Sequence, residues 1–335
     1  MGVMWGETVE GVYKPSLVYH LFKPRDITGN EINGLGETVK RRPTPIYHWF
    51  GILKIPFNRV WWLLPAWGML KGNKDGYMDT CREYADKPND PVADKKVEKS
   101  PEEWVSEIKT HAIEKGVDLV GIKRMRDEWV FEGFEVKEKW IIILGLQMDY
   151  EKLATAPGPD GAGAAIKTYA DGDIWAWEIS NWLRSQGWYA QGYCGPMASP
   201  INLIPVALAA GFGELGKHGS IISRDLGSNL RLAYILTDVP LVDEDEEDDF
   251  GADSFCASCQ ICTKACPPDA ILPEKQMVRG VKKWYVDFDK CVPFFNDTGG
   301  CGICIAVCPW TRPDVRPKLL AKMLKKKAER DELAA

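Results

Sequence analysis

The sequence predicts an α+β protein in two parts, and three observations carry that prediction. Between residues 100 and 241, helix-start signals alternate with apolar runs of strand length, the pattern of a mixed core. Residues 243–249 then read DEDEEDD, a break in composition that suits a solvated linker between domains. Beyond it, eight of the ten cysteines fall between Cys256 and Cys308. At 335 residues the chain is long enough for a large core and a second domain.

Residues 1–98 are rich in Pro, Trp and Lys without sustained periodicity, and read as an arm that wraps the core or covers the mouth of a site. The aromatic run over 47–70 is broken by Lys54, Pro56, Arg59 and Pro65, too interrupted for a spanning helix. Peripheral membrane contact through exposed Trp and Lys is the alternative reading of that run. The core, residues 99–242, opens with Ser100 as N-cap, Pro101 at N1 and Glu102 and Glu103 in the first turn. Trp104, Ile108 and Ala112 recur at helical spacing, and Gly116 is the stop.

A strand is expected over 117–125. A second, over 140–146, is almost continuously apolar, as when both sheet faces are covered. A loop with Gly158, Gly161 and Gly163 is expected to end at 166–169. Asp173 then caps a helix with Trp175, Ile179, Trp182 and Leu183 on one face and Gly187 as its stop. WYAQGY is a short strand, Ser199 and Pro200 open a helix to Ala210, and 230–236 is a further strand. Residues 243–312 hold the linker and the cysteine module. Residues 313–335 form a basic helix, LLAKMLKKKAER, set on the surface through Leu319, Leu320 and Met323.

Hydrophobic content of 45 % and charge of 27 % are ordinary for a soluble protein, and a net charge of −6 argues against a nucleic-acid partner. The first 30 residues lack a secretory pattern, and Arg41-Arg42 is followed by Pro43-Thr44-Pro45 rather than an export segment. A cytoplasmic protein with reduced thiols is expected. Fourteen tryptophans are many for this length and suit large flat groups or crowded pockets.

The cysteines state a chemistry. Cys256, Cys259, Cys262 and Cys266, followed by Pro267, have the C-x₂-C-x₂-C-x₃-C-P spacing of a bacterial [4Fe–4S] ferredoxin. Cys301, Cys304 and Cys308 keep the second half of that rhythm, while Cys291 lies ten residues upstream of Cys301. The fourth cysteine of such a run ligates the other cluster. One quartet is therefore Cys256, Cys259, Cys262 and Cys308, and the other Cys266, Cys291, Cys301 and Cys304. A disulfide framework or paired zinc ribbons are the competing readings, and they lack this spacing.

The block AGFGELGKHGSIISRDLGSNLRLAYILTDVPL, followed by two cysteine runs ending in CPW, resembles the cobalamin-dependent reductive dehalogenases and the related epoxyqueuosine reductases. The resemblance spans residues 100–312, and the 210–241 block is its discriminating part. It implies a nitroreductase-like, corrinoid-binding α/β core with a C-terminal two-[4Fe–4S] ferredoxin domain, and a base-off cobalamin or other corrinoid. No Asp-x-His-x-x-Gly motif surrounds any of the four histidines, so axial ligation by His is not expected.

Carried over by motif, Tyr169 is the proton donor to the carbon losing halide. Arg231, in the Asn-Leu-Arg-Leu run, is the cation that stabilises its phenolate, since a phenol is a poor acid near neutrality without one. Lys167 is the weaker alternative cation. Cys194 stands about where epoxyqueuosine reductases place an acid, and is a buried small hydrophobe, a pocket wall or a reacting thiol. Tyr193, Gly195, Ser199, Lys217 and Trp310 are expected to line the corrinoid pocket.

The resemblance thus implies cleavage of a carbon–halogen bond in a small, possibly aromatic substrate. Electrons would come from an external low-potential donor such as a ferredoxin or flavodoxin. An epoxyqueuosine-type or other corrinoid reductase on the same scaffold is the first alternative. A ferredoxin-type electron carrier without corrinoid is the second.

Overall fold

The computed structural model describes residues 7–9, 12–14, 28–45, 75–195, 200–244 and 249–334. The aromatic run over 47–70, candidate pocket residue Ser199 and residues 245–248 of the acidic run lie outside them. A short hairpin, β1 (Glu7–Val9) and β2 (Val12–Lys14), comes first. Helix α1 (Gly29–Ile32) is closed by a capping box from Thr28 and Glu31. Helix α2 (Tyr77–Asp86) follows. Among the described residues no helix is long and apolar enough to cross a membrane.

The core begins as expected with α3 (Pro101–Glu114), whose cap Ser100 accepts from the Glu103 N–H while the Glu103 carboxylate accepts from the Ser100 N–H. Strands β3 (Leu119–Arg124) and β4 (Trp140–Gln147) are joined through the loop at Trp129. Helix α4 (Tyr150–Leu153) is a single turn, and α5 runs unbroken from Pro159 to Ser185. Strand β5 (Ala190–Tyr193), α6 (Leu203–Ala209), β6 (Glu214–Leu215), β7 (Ile221–Ile222) and β8 (Leu230–Thr237) complete the core.

The main sheet has the order β3-β4-β8-β5, antiparallel throughout, with Leu146 opposite Arg231 and Tyr193 opposite Tyr234. Alternation sorts its side chains. Ile142, Leu144, Leu146, Ala233 and Ile235 pack with α3 and α5, whereas Ile141, Ile143, Tyr234 and Leu236 pack with α6, Trp129 and Phe212. Both faces are covered, which is why β4 reads as one apolar run.

The expected loop over 158–169 is instead the first three turns of α5. Pro159 sits at N1, where its missing N–H costs nothing. Gly161 is not a breaker here; a Cβ on it would lie 3.3 Å from the Lys152 carbonyl, so its bareness permits the close approach of α4. Asp173 caps nothing. It lies mid-helix and buried, 7 % exposed.

The C-terminal module contains α7 (Ala252–Ser258), α8 (Ile261–Ala265), the hairpin β9 (Gln276–Val278) and β10 (Val281–Lys283), α9 (Phe288–Asp297) and α10 (Ile303–Ala306). The basic tail is α11 (Arg316–Ala334). Glu214 joins the two parts. Its carboxylate accepts from the Phe250, Ala252 and Asp253 N–H groups at 3.0, 2.7 and 2.8 Å, at the start of the helix that carries Cys256. The Ser228 N–H donates to Thr311 Oγ1 at 3.3 Å. Within the acidic run the described carboxylates Asp243, Glu244 and Asp249 each meet a lysine. Asp243 meets Lys123 at 2.6 Å, Glu244 meets Lys109 at 2.5 Å and Asp249 meets Lys327 at 3.2 Å.

Candidate active site

The eight cysteines of the module are all free thiols. Burial pushes the Cys256 thiol up to about 12, with charge repulsion from Cys308, Cys262 and Cys259 adding to it. Burial likewise raises Cys291 to about 12, with Cys266 and Cys301 as the neighbouring charges. Cys304 is driven well above its usual range, by burial and then by Cys301 and Cys291. Desolvated thiols of this kind need a positive group to become thiolates, and iron supplies one.

A cavity of about 150 Å³ is lined by all four members of the second quartet, Cys266, Cys291, Cys301 and Cys304, together with Arg231 and His218. Among the described residues no three His, Cys, Asp or Glu side chains converge on one metal-ion position. The Ala270 N–H donates to Cys266 Sγ at 3.3 Å, a contact that tunes such a cluster.

Tyr169 and Arg231 come together although 62 positions separate them. Arg231 shares the α5-facing side of β8 with Ala233 and Ile235, and its guanidinium carbon lies 5.4 Å from the Tyr169 ring centroid. Its Nη1 donates to the Leu230 carbonyl at 3.2 Å, while its buried Nε has no partner among the described residues. A buried Nε–H without a partner among the described residues, on a side chain that lines the second quartet's cavity, is a donor awaiting an acceptor.

Lys167 has its own acidic partner. On a helix, positions i and i+2 face apart, and Lys167 pairs with Asp171 at 2.6 Å. Cys194 lies against α5. It donates to the Tyr169 carbonyl at 3.4 Å, and burial first, then the Asp173 charge, raises it well above its usual range. A Cβ on Gly172 would sit 2.6 Å from Cys194 Sγ, so the bare glycine admits the sulfur against the helix.

The expected corrinoid contacts divide. Tyr193 stacks on Tyr234 with ring centroids 4.9 Å apart, and Gly195, at φ +78, lies beside Asp173. Lys217 and Trp310 are elsewhere. Lys217 is 1 % exposed and donates to the Cys259 carbonyl at 2.8 Å, against the first quartet. Trp310 is fully buried, edge-on to Phe250 and Phe255.

Two groups escaped the sequence reading. Burial raises the Asp173 carboxyl to about 7, although a hydrogen bond from Cys81 opposes the shift, and its Oδ2 has no partner among the described residues. It stands one turn beyond Tyr169, flanked by Gly172 and Ile174, and that apolar setting was the available signal. His218 is held neutral by burial, at about 4. Its Nδ1 accepts from the Ser220 N–H at 3.2 Å. Ser228 Oγ donates to the Ile221 carbonyl at 2.5 Å and lies 3.1 Å from His218 Nε2, so Nε2 carries the proton. Both ring nitrogens are engaged.

Residues 255–311 match the model of the 4Fe-4S dicluster domain family. Over 212 residues the chain is 32 % identical to a tetrachloroethene reductive dehalogenase of Desulfitobacterium hafniense, covering 59 % of this chain and 37 % of that protein. It is 26 % identical over 262 residues to the tetrachloroethene reductive dehalogenase of Sulfurospirillum multivorans, covering 64 % and 52 %. An epoxyqueuosine reductase of Vibrio cholerae is 26 % identical over 257 residues, covering 63 % and 68 %. The chain therefore spans about two-fifths to one-half of the length of these dehalogenases. A catabolic reductive dehalogenase solved with 3-bromo-4-hydroxybenzoic acid superposes with a TM-score of 0.70 at 20 % identity, covering 94 % of this chain and 49 % of that one. The fold is that of the solved dehalogenases, and the chain is a relative of the reductive dehalogenases and of the epoxyqueuosine reductases.

Proposed function

We propose that this chain is a corrinoid-dependent reductive dehalogenase. The observation that carries the reading is the meeting of Tyr169 and Arg231 beside the cavity of the second cysteine quartet. An electron relay, a cation and a proton donor then converge on one place. The relatives named as reductive dehalogenases supply the reaction class.

Each quartet would hold one [4Fe–4S] cluster. A corrinoid would lie against Arg231 and the face of the second quartet, with Tyr193 and Gly195 at its edge. When bound, it supplies a low-valent cobalt centre able to reduce a carbon–halogen bond. The chain's own residues do the rest. The quartets pass two electrons inward one at a time, and the carbon that loses halide receives the Tyr169 proton. Two electrons and one proton thus replace carbon–halogen by carbon–hydrogen and release halide. Arg231 places positive charge beside the phenol as it gives up that proton. The substrate is a small halogenated, possibly aromatic molecule.

A second reading, an epoxide reductase on the same scaffold, is favoured by one observation. The Asp173 carboxyl lies beside Gly195 and Cys194, with Oδ2 unpartnered among the described residues, so an acid is present where that chemistry needs one. Anaerobic purification with hydroxocobalamin, followed by metal analysis and assays of halide release from bromophenols, tests both. Retained cobalt with halide release that Tyr169→Phe abolishes supports the dehalogenase. Retained cobalt with epoxide reduction that Asp173→Asn abolishes supports the alternative. Iron without cobalt defeats both and leaves an electron carrier.

A further inference from the structure

The two quartets face different neighbours, and the first has a distinctive surface over it. Between Cys259 and Cys262 the chain shows only Gln260 and Ile261, and Ile261 is 46 % exposed. Ala257, Ser258 and Lys264 beside it are exposed as well. A single exposed isoleucine needs no explanation. Its surroundings give this one a meaning.

Helix α11 lies against α7, because Met323 is buried in the same apolar cluster as Cys256, Cys308 and Trp310. Its outer side brings Lys326, Lys327 and Arg330 to a groove of about 210 Å³ shared with Ser254, Phe255 and Ser258. The helix carries Arg316, Lys318, Lys322, Lys325, Lys326, Lys327 and Arg330 against Glu329, Asp331 and Glu332, in a chain whose net charge is −6. Asp249 meets Lys327 at 3.2 Å and Arg330 at 3.9 Å. Lys264 and Lys326 make no ion pair among the described residues. The exposed Ile261 thus sits between two cluster ligands, with Lys264 on its own short helix α8 and, three residues before it, Ser258 at the edge of the basic groove.

Transient electron-transfer complexes have this build. They bury little area, below about 1,200 Å², and rely on complementary charge to steer the encounter rather than on a large apolar patch. We infer that the face formed by Ile261, Lys264, Lys326, Lys327 and Arg330 is the docking surface for a small acidic electron-carrier protein that reduces the first quartet's cluster. In each encounter the carrier loses one electron and the cluster gains it, and no bond is made or broken. An RNA partner suits the face less well, since the basic side of α11 gives way to Glu329, Asp331 and Glu332 at its end. The inference rests on the reading that the quartets hold [4Fe–4S] clusters, and not on the reaction that the electrons finally drive.

The test uses the full chain, purified anaerobically with its clusters, mixed in a stopped-flow cell with flavodoxin hydroquinone as the acidic carrier. Bleaching of the cluster absorbance gives the second-order rate constant. In the Lys264→Glu/Lys326→Glu variant that constant should fall by about tenfold or more at low ionic strength, and its salt dependence should flatten. Reduction by dithionite, and iron content, should match the unaltered chain. Reduction by flavodoxin at the unaltered rate in the variant would overturn the inference. So would an anticodon stem-loop RNA that binds the unaltered chain and not the variant while the flavodoxin rate stays constant. Normal cluster reduction without halide release would count against the dehalogenase reading alone.

Discussion

The two cysteine quartets have the same ligands and opposite surroundings. The first, Cys256, Cys259, Cys262 and Cys308, is packed among Phe250, Trp284, Trp310 and Met323, with Lys217 bonded to its Cys259 carbonyl and a basic helix outside. The second opens into a cavity shared with Arg231 and His218, one side chain away from Tyr169. Ligand identity therefore does not assign their roles; the neighbours do. The first quartet's cluster of side chains adjoins the basic helix α11 through Met323, and the second shares its cavity with Arg231 of the α/β core.

The largest effect that would sharpen this contrast is the loss of one cluster. Cys291→Ala should lower iron content by about half, the outcome expected of a ligand to one of two clusters. Cys81→Ala, outside both quartets, should leave iron unchanged. Iron analysis after anaerobic purification decides, and full iron in Cys291→Ala would break the quartet assignment. Next in size, Tyr169→Phe should slow halide release by about 10²–10⁴-fold while both clusters are still reduced by dithionite. A parallel loss of cluster reduction would mean that the substitution acts on the relay rather than on the proton.

A smaller effect concerns Asp173. Its folded-state value of about 7 lies above the ordinary 3.8, so its neutral form favours the folded state below pH 4. That contribution is lost as pH rises to 7 and through it. Asp173→Asn should raise the stability at pH 8 by on the order of a few kcal/mol and change little at pH 4, as thermal unfolding at the two pH values would show. Equal shifts at both would contradict the buried-acid account. The smallest effect is expected of Cys194→Ala. Loss of one thiol–carbonyl bond should cost about 1 kcal/mol and leave turnover within about threefold, whereas its abolition would make Cys194 a reacting group.

Much of this arrangement was legible because its signals are local. The quartets follow from cysteine spacing, the start of α3 from the Ser100–Glu103 capping box, and β4 from an apolar run that only a sheet covered on both faces tolerates. The beginning of α5 was not legible. Gly158, Gly161 and Gly163 read as punctuation, yet Gly161 is bare so that α4 can approach, a requirement set by a partner distant from the local pattern. The same limit hid Lys217 and Trp310. Lys217, in the 210–241 block, bonds to the Cys259 carbonyl, and Trp310, within the module itself, packs edge-on to Phe250 and Phe255; both contacts are distant from the local pattern. The pairing of Tyr169 with Arg231 was anticipated from motif order. The helix that aims Tyr169 was not, and neither was Asp173 one turn along it.

The central claim is that the second quartet, not the first, adjoins the reactive site. Electron paramagnetic resonance of the hydroxocobalamin-loaded chain, poised so that cobalt(II) and one reduced cluster coexist, tests it most directly. The account predicts relaxation enhancement of the cobalt signal that persists in Cys259→Ala and disappears in Cys291→Ala. Enhancement lost in Cys259→Ala and kept in Cys291→Ala would contradict it.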